Sequence, residues 1–150
     1  MALTPNSAIL PQVPKSALAQ ITDSDATGLV PLVTGGANGT KVSAIVASNT
    51  DTNAYTLQLI LNSGGTLSSG LVTGGTSYLI AAVSLPVSAG NVAGTPPVGM
   101  LSAANIPGVA TDGAGVPYLY VNSGDYLCIA LTATIAAGKL AAAIATLADF

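Results

Sequence analysis

"LVTGGANGTKVSAIVAS", residues 32–48, is the stretch whose reading decides the fold. A short apolar run, a Thr-Gly-Gly turn, a further glycine and a second apolar run admit two interpretations. In the first, a strand delivers a glycine-rich phosphate loop to a helix, and the chain is an α/β enzyme. In the second, two strands are joined at a glycine turn, and the chain is all-β. A dinucleotide loop needs three glycines in register, so that the backbone turns tightly, approaches the pyrophosphate and lets the helix pack on its sheet. The run that follows the glycines, "KVSAIVAS" (41–48), alternates with a period of two where that architecture requires a helix.

The glycines themselves also fail the phosphate-loop test. Against the short-chain dehydrogenase pattern Thr34, Gly35 and Gly39 fall in place, but Lys41 occupies the next required glycine position. The catalytic Tyr-x-x-x-Lys is missing, because none of Tyr55, Tyr78, Tyr118, Tyr120 or Tyr126 has a lysine four residues on. A chain of 150 residues is also too short for the usual doubly wound sheet. "LVTGG" recurs at 71–75, again before a β-patterned run, "TSYLIAAV". Two copies of strand, Thr-Gly-Gly and strand predict reused turn chemistry, with glycine supplying positive φ.

Outward from these turns the chain is a series of short β-prone runs: 29–33, 41–48, 54–62, 77–87, 117–122, 126–135 and 140–150. In "AYTLQLILN" one face is Tyr55, Leu57, Leu59 and Leu61. In "YLCIALTATI" Leu127, Ile129, Leu131, Ala133 and Ile135 form the face predicted to be buried. A period of two with one apolar face marks an antiparallel sheet half covered by a second layer. Polar joins at "SNTDTN" (48–53), "NSGD" (122–125) and "AAGK" (136–139) fit hairpins and short loops. The expected fold is all-β, an antiparallel β-sandwich of jelly-roll type with an extended N-terminal arm, residues 1–28, followed by the sandwich domain, 29–150. "KLAAAIATLADF" (139–150) also places Leu140, Ile144 and Leu147 on one helical face; its tight join to a strongly β-patterned neighbour predicts a strand.

Composition bounds the function. Charged residues make up 6% of the chain, three Lys and six Asp with no Glu, Arg or His, against about 25% in an ordinary soluble domain. Such a surface carries little repulsion to keep neighbours apart and suits a protein packed against other proteins. Three scattered lysines and a net charge of −3 cannot build a nucleic-acid footprint. No apolar run reaches the length of a membrane span, and the N-terminus has neither the basic start nor the apolar block of a signal peptide, so assembly in a cytoplasm is expected. Without histidine, acid–base work would fall to Asp, Lys or Tyr. Lone Cys128 lacks a basic partner and is expected to be a buried, inert thiol. "DSDATG" (23–28) opens like a calcium loop, but the closing carboxylate position is Thr34, so it is expected to be an ordinary turn. The expectation is a non-enzyme with no metal and no cofactor.

Two segments are candidates for contacts with partners. Residues 1–28 hold Pro5, Pro11 and Pro14 and are expected to be extended, with Leu3, Ile9, Leu10, Val13 and Leu18 available to a neighbour. The 88–117 stretch, broken by Pro96, Pro97 and Pro107, brings Val98, Met100, Leu101, Ile106 and Val109, which either tuck over the end of the core or meet a partner. Deleting residues 1–28 is expected to leave the β-domain folded.

The runs "KVSAIVASNTDTNAYTLQLILNSGGT", "SYLIAAVSLPV" and "PYLYVNSGDYLCIALTATIAAGKLAAAIATLADF" resemble, in their charge-poor strand–polar turn–strand texture, the small jelly-roll proteins that decorate or cement tailed-phage capsids. The resemblance covers about three quarters of the chain and carries over no signature residue. It implies a non-enzymatic virion protein on the capsid exterior that binds the major capsid protein, bridges neighbouring subunits and pairs with itself as a dimer or trimer. Head fibres, collar proteins and tail-associated β-domains share the texture. A carbohydrate-binding β-sandwich is the rival from another class, with Tyr118, Tyr120 and Tyr126 as its possible platform.

Overall fold

The computed structural model describes residues 13–150, and they are all-β. In chain order the strands are β1 (Val13–Ile21), β2 (Val30–Thr34), β3 (Thr40–Asn49), β4 (Tyr55–Ser63), β5 (Thr66–Ser68), β6 (Leu71–Thr73), β7 (Thr76–Leu85), β8 (Val98–Gly99), β9 (Ala110–Thr111), β10 (Pro117–Val121), β11 (Tyr126–Leu131) and β12 (Ala141–Asp149). One sheet runs β1-β12-β3-β10-β9, with β8 also on β3; the other runs β2-β11-β4-β7; β5 and β6 form a small ribbon. The long strands pair antiparallel from the outside in: β1 with β12, β2 with β11, β3 with β10 and β4 with β7. The chain is thus a long hairpin whose successive pairs fall alternately on the two sheets.

The alternation read from the sequence explains the core. Leu57 and Leu59 of β4 meet Leu127, Ile129 and Leu131 of β11 in one buried cluster, with Tyr55 and Leu61 packed at its margin. From the opposite sheet come Ile21, Val42, Ile45, Ala143, Ala145 and Leu147. β11 ends at Leu131, four residues earlier than expected; beyond it Ala133, placed on the buried face, is exposed, while Ile135 is buried. Residues 141–149 are a strand despite their helix formers. β12 is laddered on one side to β1 and on the other to β3, so extended backbone satisfies both edges where a helix would leave the core open.

Both Thr-Gly-Gly segments are turns, and both pass the chain from one sheet to another: β2 to β3, and the β5–β6 ribbon to β7. The second copy uses glycine's conformational freedom, with φ +67° at both Gly74 and Gly75. The first does not, since Gly35 and Gly36 have ordinary φ. Gly35 is required by proximity. A Cβ there would lie 1.8 Å from the carbonyl oxygen of Asn122, because the Gly35 N–H donates to Asp125 O (3.0 Å) and seats this crossing on the β10–β11 turn.

The N-terminal arm needs a correction. Residues 13–21, assigned to the arm, form β1, a full edge strand with Ala19 and Ile21 buried. "KSALAQI" hides this because the inward side chains before Ile21 include only small alanines at 17 and 19, while Leu18 faces out. Leu3, Ile9 and Leu10 lie outside the described residues, and Val13 begins β1. At the other end of the sandwich, the 88–117 loop tucks back. Met100 is fully buried and Ile106 nearly so, while Val98, Leu101 and Val109 pack partly buried against the core. Met100 and Ile106 therefore are not exposed contact residues; the interior holds both, and for Met100 an unbranched thioether adapts well to the end of the sandwich.

Asp23–Asp25 is a single 3-10 turn, in which the Asp25 carboxylate accepts the backbone N–H (2.7 Å) and hydroxyl (2.8 Å) of Thr22. The acid closes its own turn, as the sequence predicts.

Cys128 is buried between the register partners Pro31 and Ile60, and burial pushes its thiol up to about 12. Reaction needs the thiolate. Native protein at pH 8 is therefore expected to be silent to a thiol-reactive chromophore and to release one equivalent only on unfolding. Stoichiometric labelling without denaturant would contradict the burial.

Candidate functional site

The end of the sandwich beneath "SNTDTN" holds the densest polar arrangement. Asp51, 1% exposed, receives the Tyr55 hydroxyl (2.6 Å) and the Ala136 N–H (3.1 Å) on Oδ2 and the Asn53 N–H (3.2 Å) on Oδ1. Its N–H donates to Asn49 Oδ1 (2.8 Å), and Asn49 Nδ2 donates to the carbonyls of Asn53 (2.8 Å) and Pro86 (3.0 Å). One carboxylate thus ties the β3–β4 loop to the β11–β12 loop, with Asn49 adding the end of β7. The Tyr55 hydroxyl above all holds Asp51 below its usual range, and the same bond raises Tyr55. All its donors come from within the fold, so the group is a fastening.

Two more carboxylates are lowered. Asp149 is held down by Lys15 and then by the Thr40 hydroxyl (2.6 Å), and Asp112 by the N–H groups of Val116 (2.9 Å) and Ala114 (3.0 Å). Each has a folded-state pKa below its unfolded value, so its contribution is fully present above the unfolded pKa and is lost as pH falls through the folded one. Stability is expected to be level between about pH 5 and pH 8, to fall below about pH 4 as these carboxylates protonate, and to fall again in strong alkali, where the raised Cys128 and Tyr55 favour the unfolded, ionised chain. Asp51→Asn should flatten that acid limb in a melting-temperature series, and an unchanged limb would contradict the fastening role.

The surfaces that face outward differ. On the outer side of the β1-β12-β3 sheet, pairing sets residues in cross-strand rows: Ser16–Thr146–Ala44, Leu18–Ile144–Val46 and Gln20–Ala142–Ser48, with Pro14–Ala148–Lys41–Tyr120 beyond. The central row is apolar and open, with Leu18 60%, Ile144 54% and Val46 42% exposed. Three large apolar side chains side by side, bordered by rows of Ser, Thr, Gln and Ala, have the character of a contact surface. Lys41 is the one charged residue in these rows. It is drawn aside, 3.7 Å from Asp112 and 4.7 Å from the centre of the Tyr118 ring. The rim at this corner is Tyr120, whose ring lies 5.6 Å from that of Phe150 and whose hydroxyl donates to Asn38 O (2.7 Å).

Of the residues singled out from the sequence, Leu18 lies on this face. Val46 and Ile144 were missed, and the weak signal for them is a β-branched residue bordered by alanine: the Ile45–Val46 pair between Ala44 and Ala47, and Ile144 between Ala143 and Ala145. Tyr118 and Tyr120 share β10, whereas Tyr126 lies on β11 in the other sheet, so the three tyrosines do not form one platform. A hollow of about 420 Å³ in the 90–97 loop is lined by Gly90, Asn91, Val92, Gly94, Thr95, Pro96 and Pro97, none of them an acid, base or nucleophile. Among the described residues no three Asp or Cys side chains converge as a metal site, and no helix is long and apolar enough to cross a membrane. No protein-family model, curated protein or solved structure matches the chain.

Proposed function

We propose that this protein is a structural virion protein that binds the outer surface of a phage capsid and cements neighbouring major capsid protein subunits. The observation that carries this reading is the outward face of the β1-β12-β3 sheet, ribbed by Leu18, Ile144 and Val46, with Lys41 at its margin as the one charged residue of its rows. A protein that must diffuse alone gains from surface charge, whereas one repeated many times on a shell gains from summing modest neutral contacts. The outside-in pairing of eight long strands supports the jelly-roll form of the sandwich, a two-sheet architecture common among capsid proteins. Residues 1–12 remain candidates for shell contact, as does Val92 in the long loop, 51% exposed.

The test is binding of the purified protein to heads of the encoding phage from which it has been stripped. Co-sedimentation is expected to saturate at a fixed number of copies per capsomer. Because the contact is neutral, saturation should be the same between about 0.1 and 1 M salt. Absence of saturable binding would reject the cement role; retention on glycans instead would favour the carbohydrate-binding rival.

A further inference from the structure

We infer that the β5–β6 ribbon, residues 66–73, is a strap that swings on two glycine pairs, Gly64–Gly65 and Gly74–Gly75, and that its opening bares a concealed apolar row on the outer face of the β2-β11-β4-β7 sheet. Strap opening is independent of which surface meets the shell.

Alternation places this row. Leu127 and Ile129 of β11 and Leu59 of β4 point into the core between the sheets, so Cys128 and Ile60 point the other way. Pairing sets them side by side in the row Pro31–Cys128–Ile60–Leu79. An outward row is ordinarily open to water, and Leu79 at its end is 58% exposed. Cys128 and Ile60 are nevertheless 0% and 8% exposed, and neither belongs to the core cluster. The ribbon accounts for their burial. It leaves the end of β4, and its Val72 N–H donates to the carbonyl of Leu29 (2.8 Å), the residue before β2. To run from β4 to β2 it crosses β11, which lies between them. Val72 is itself 4% exposed and likewise stands apart from the core cluster, as the strap's contribution to a small second cluster with Cys128 and Ile60.

The base of the strap is built to turn. Gly64 has φ +73° and Gly74 and Gly75 both +67°, and a Cβ at Gly75 would lie 2.5 Å from the Gly65 nitrogen, so the two legs run close together. A few such residues can absorb the backbone change of a hinge. Beside them sits Asn62, 0% exposed. Its Nδ2 donates to Gly74 O (3.0 Å) and Ser77 Oγ (2.9 Å), and because a carbonyl can only accept, Gly74 fixes the orientation of the amide. Oδ1 is left beside Gly65 and Gly75 with no donor among the described residues. A buried acceptor without a donor is a standing cost of the shut position, and lifting the strap admits water to it. The fastenings that hold the strap down are few among the described residues: the Val72 bond, and Leu71 packed on Gly28 at the margin of the core. A unit with so few ties opens by itself while the sandwich stays folded.

Residue-resolved hydrogen exchange on the full chain tests this. The Val72 amide is expected to exchange at least about tenfold faster than the ladder amides of Leu59 and Ile129, which wait for global unfolding. Gly64→Ala places a methyl in open space, so it only strains the positive φ of the shut strap, and Val72 exchange should rise about fivefold. Gly138→Ala carries the same φ of +73° in equally open surroundings away from the strap. Both variants strain the native state and should speed the slowest core amides alike, whereas only Gly64→Ala should speed Val72. Alkylation of Cys128 over hours should follow Val72 and run about fivefold faster in Gly64→Ala than in Gly138→Ala. Val72 exchanging no faster than the ladder amides, the two variants acting alike on Val72, or equal alkylation of Cys128 in both would each overturn the strap.

Discussion

A chain lacking residues 1–28 is expected not to fold. β1 is the outer strand of the six-stranded sheet, hydrogen-bonded along all nine residues to β12. Its inward side chains Ala19 and Ile21 are 4% and 0% exposed. Removing it takes Ile21 out of the core, worth roughly 2–3 kcal/mol. It also uncovers the flank of Ala143, Ala145 and Leu147 and leaves β12 as a new open edge. Set against the roughly 5–15 kcal/mol that separates a domain from its unfolded state, the loss is decisive. Circular dichroism and a thermal melt check this: the truncated chain should show no cooperative transition. A native-like melt would restore the sequence-based picture of a dispensable arm.

Gly35→Ala is the single substitution expected to do most damage. The added methyl would meet the Asn122 carbonyl oxygen at 1.8 Å and its carbon at 2.6 Å, both backbone atoms that cannot swing aside. Relief requires lifting the β2–β3 crossing off the β10–β11 turn and breaking the Gly35 N–H bond to Asp125. Disruption of a well-packed backbone contact of this kind costs about 3 kcal/mol or more. Gly138→Ala is the contrast. Its φ of +73° is strained for alanine, but nothing lies within 4 Å, so about 1 kcal/mol is expected. Chemical denaturation of the two variants measures the difference, and equal costs would show that the close approach at Gly35 is not a constraint.

These two cases mark what the sequence discloses. The strands of the core were legible wherever large and polar residues alternate, as in "AYTLQLILN" and "YLCIALTATI", because a half-buried sheet imposes that period directly. β1 and β12 obey the same rule with the sizes reversed. Alanine lines the interior at Ala19, Ala141, Ala143 and Ala145, while Leu18 and Ile144 face out. A reading that equates bulk with burial then loses β1 and hides the contact face. The row Leu18–Ile144–Val46 was illegible for a further reason. It joins residues 18, 144 and 46 through register alone, and register across strands so distant in sequence is fixed only when the whole hairpin closes. The "LVTGG" turns were legible as turns. That the first needs its glycine for proximity and the second for positive φ became apparent only from their neighbours.

We propose above all that this charge-poor, ribbed β-sandwich is repeated on a particle surface. Electron microscopy of intact particles of the phage proposed to encode it addresses this most directly. The predicted result is density for the two-sheet sandwich on the capsid exterior, bridging adjacent major capsid protein subunits at fixed copy number. Complete particles that carry no such density, and no trace of the chain in their protein content, would contradict it.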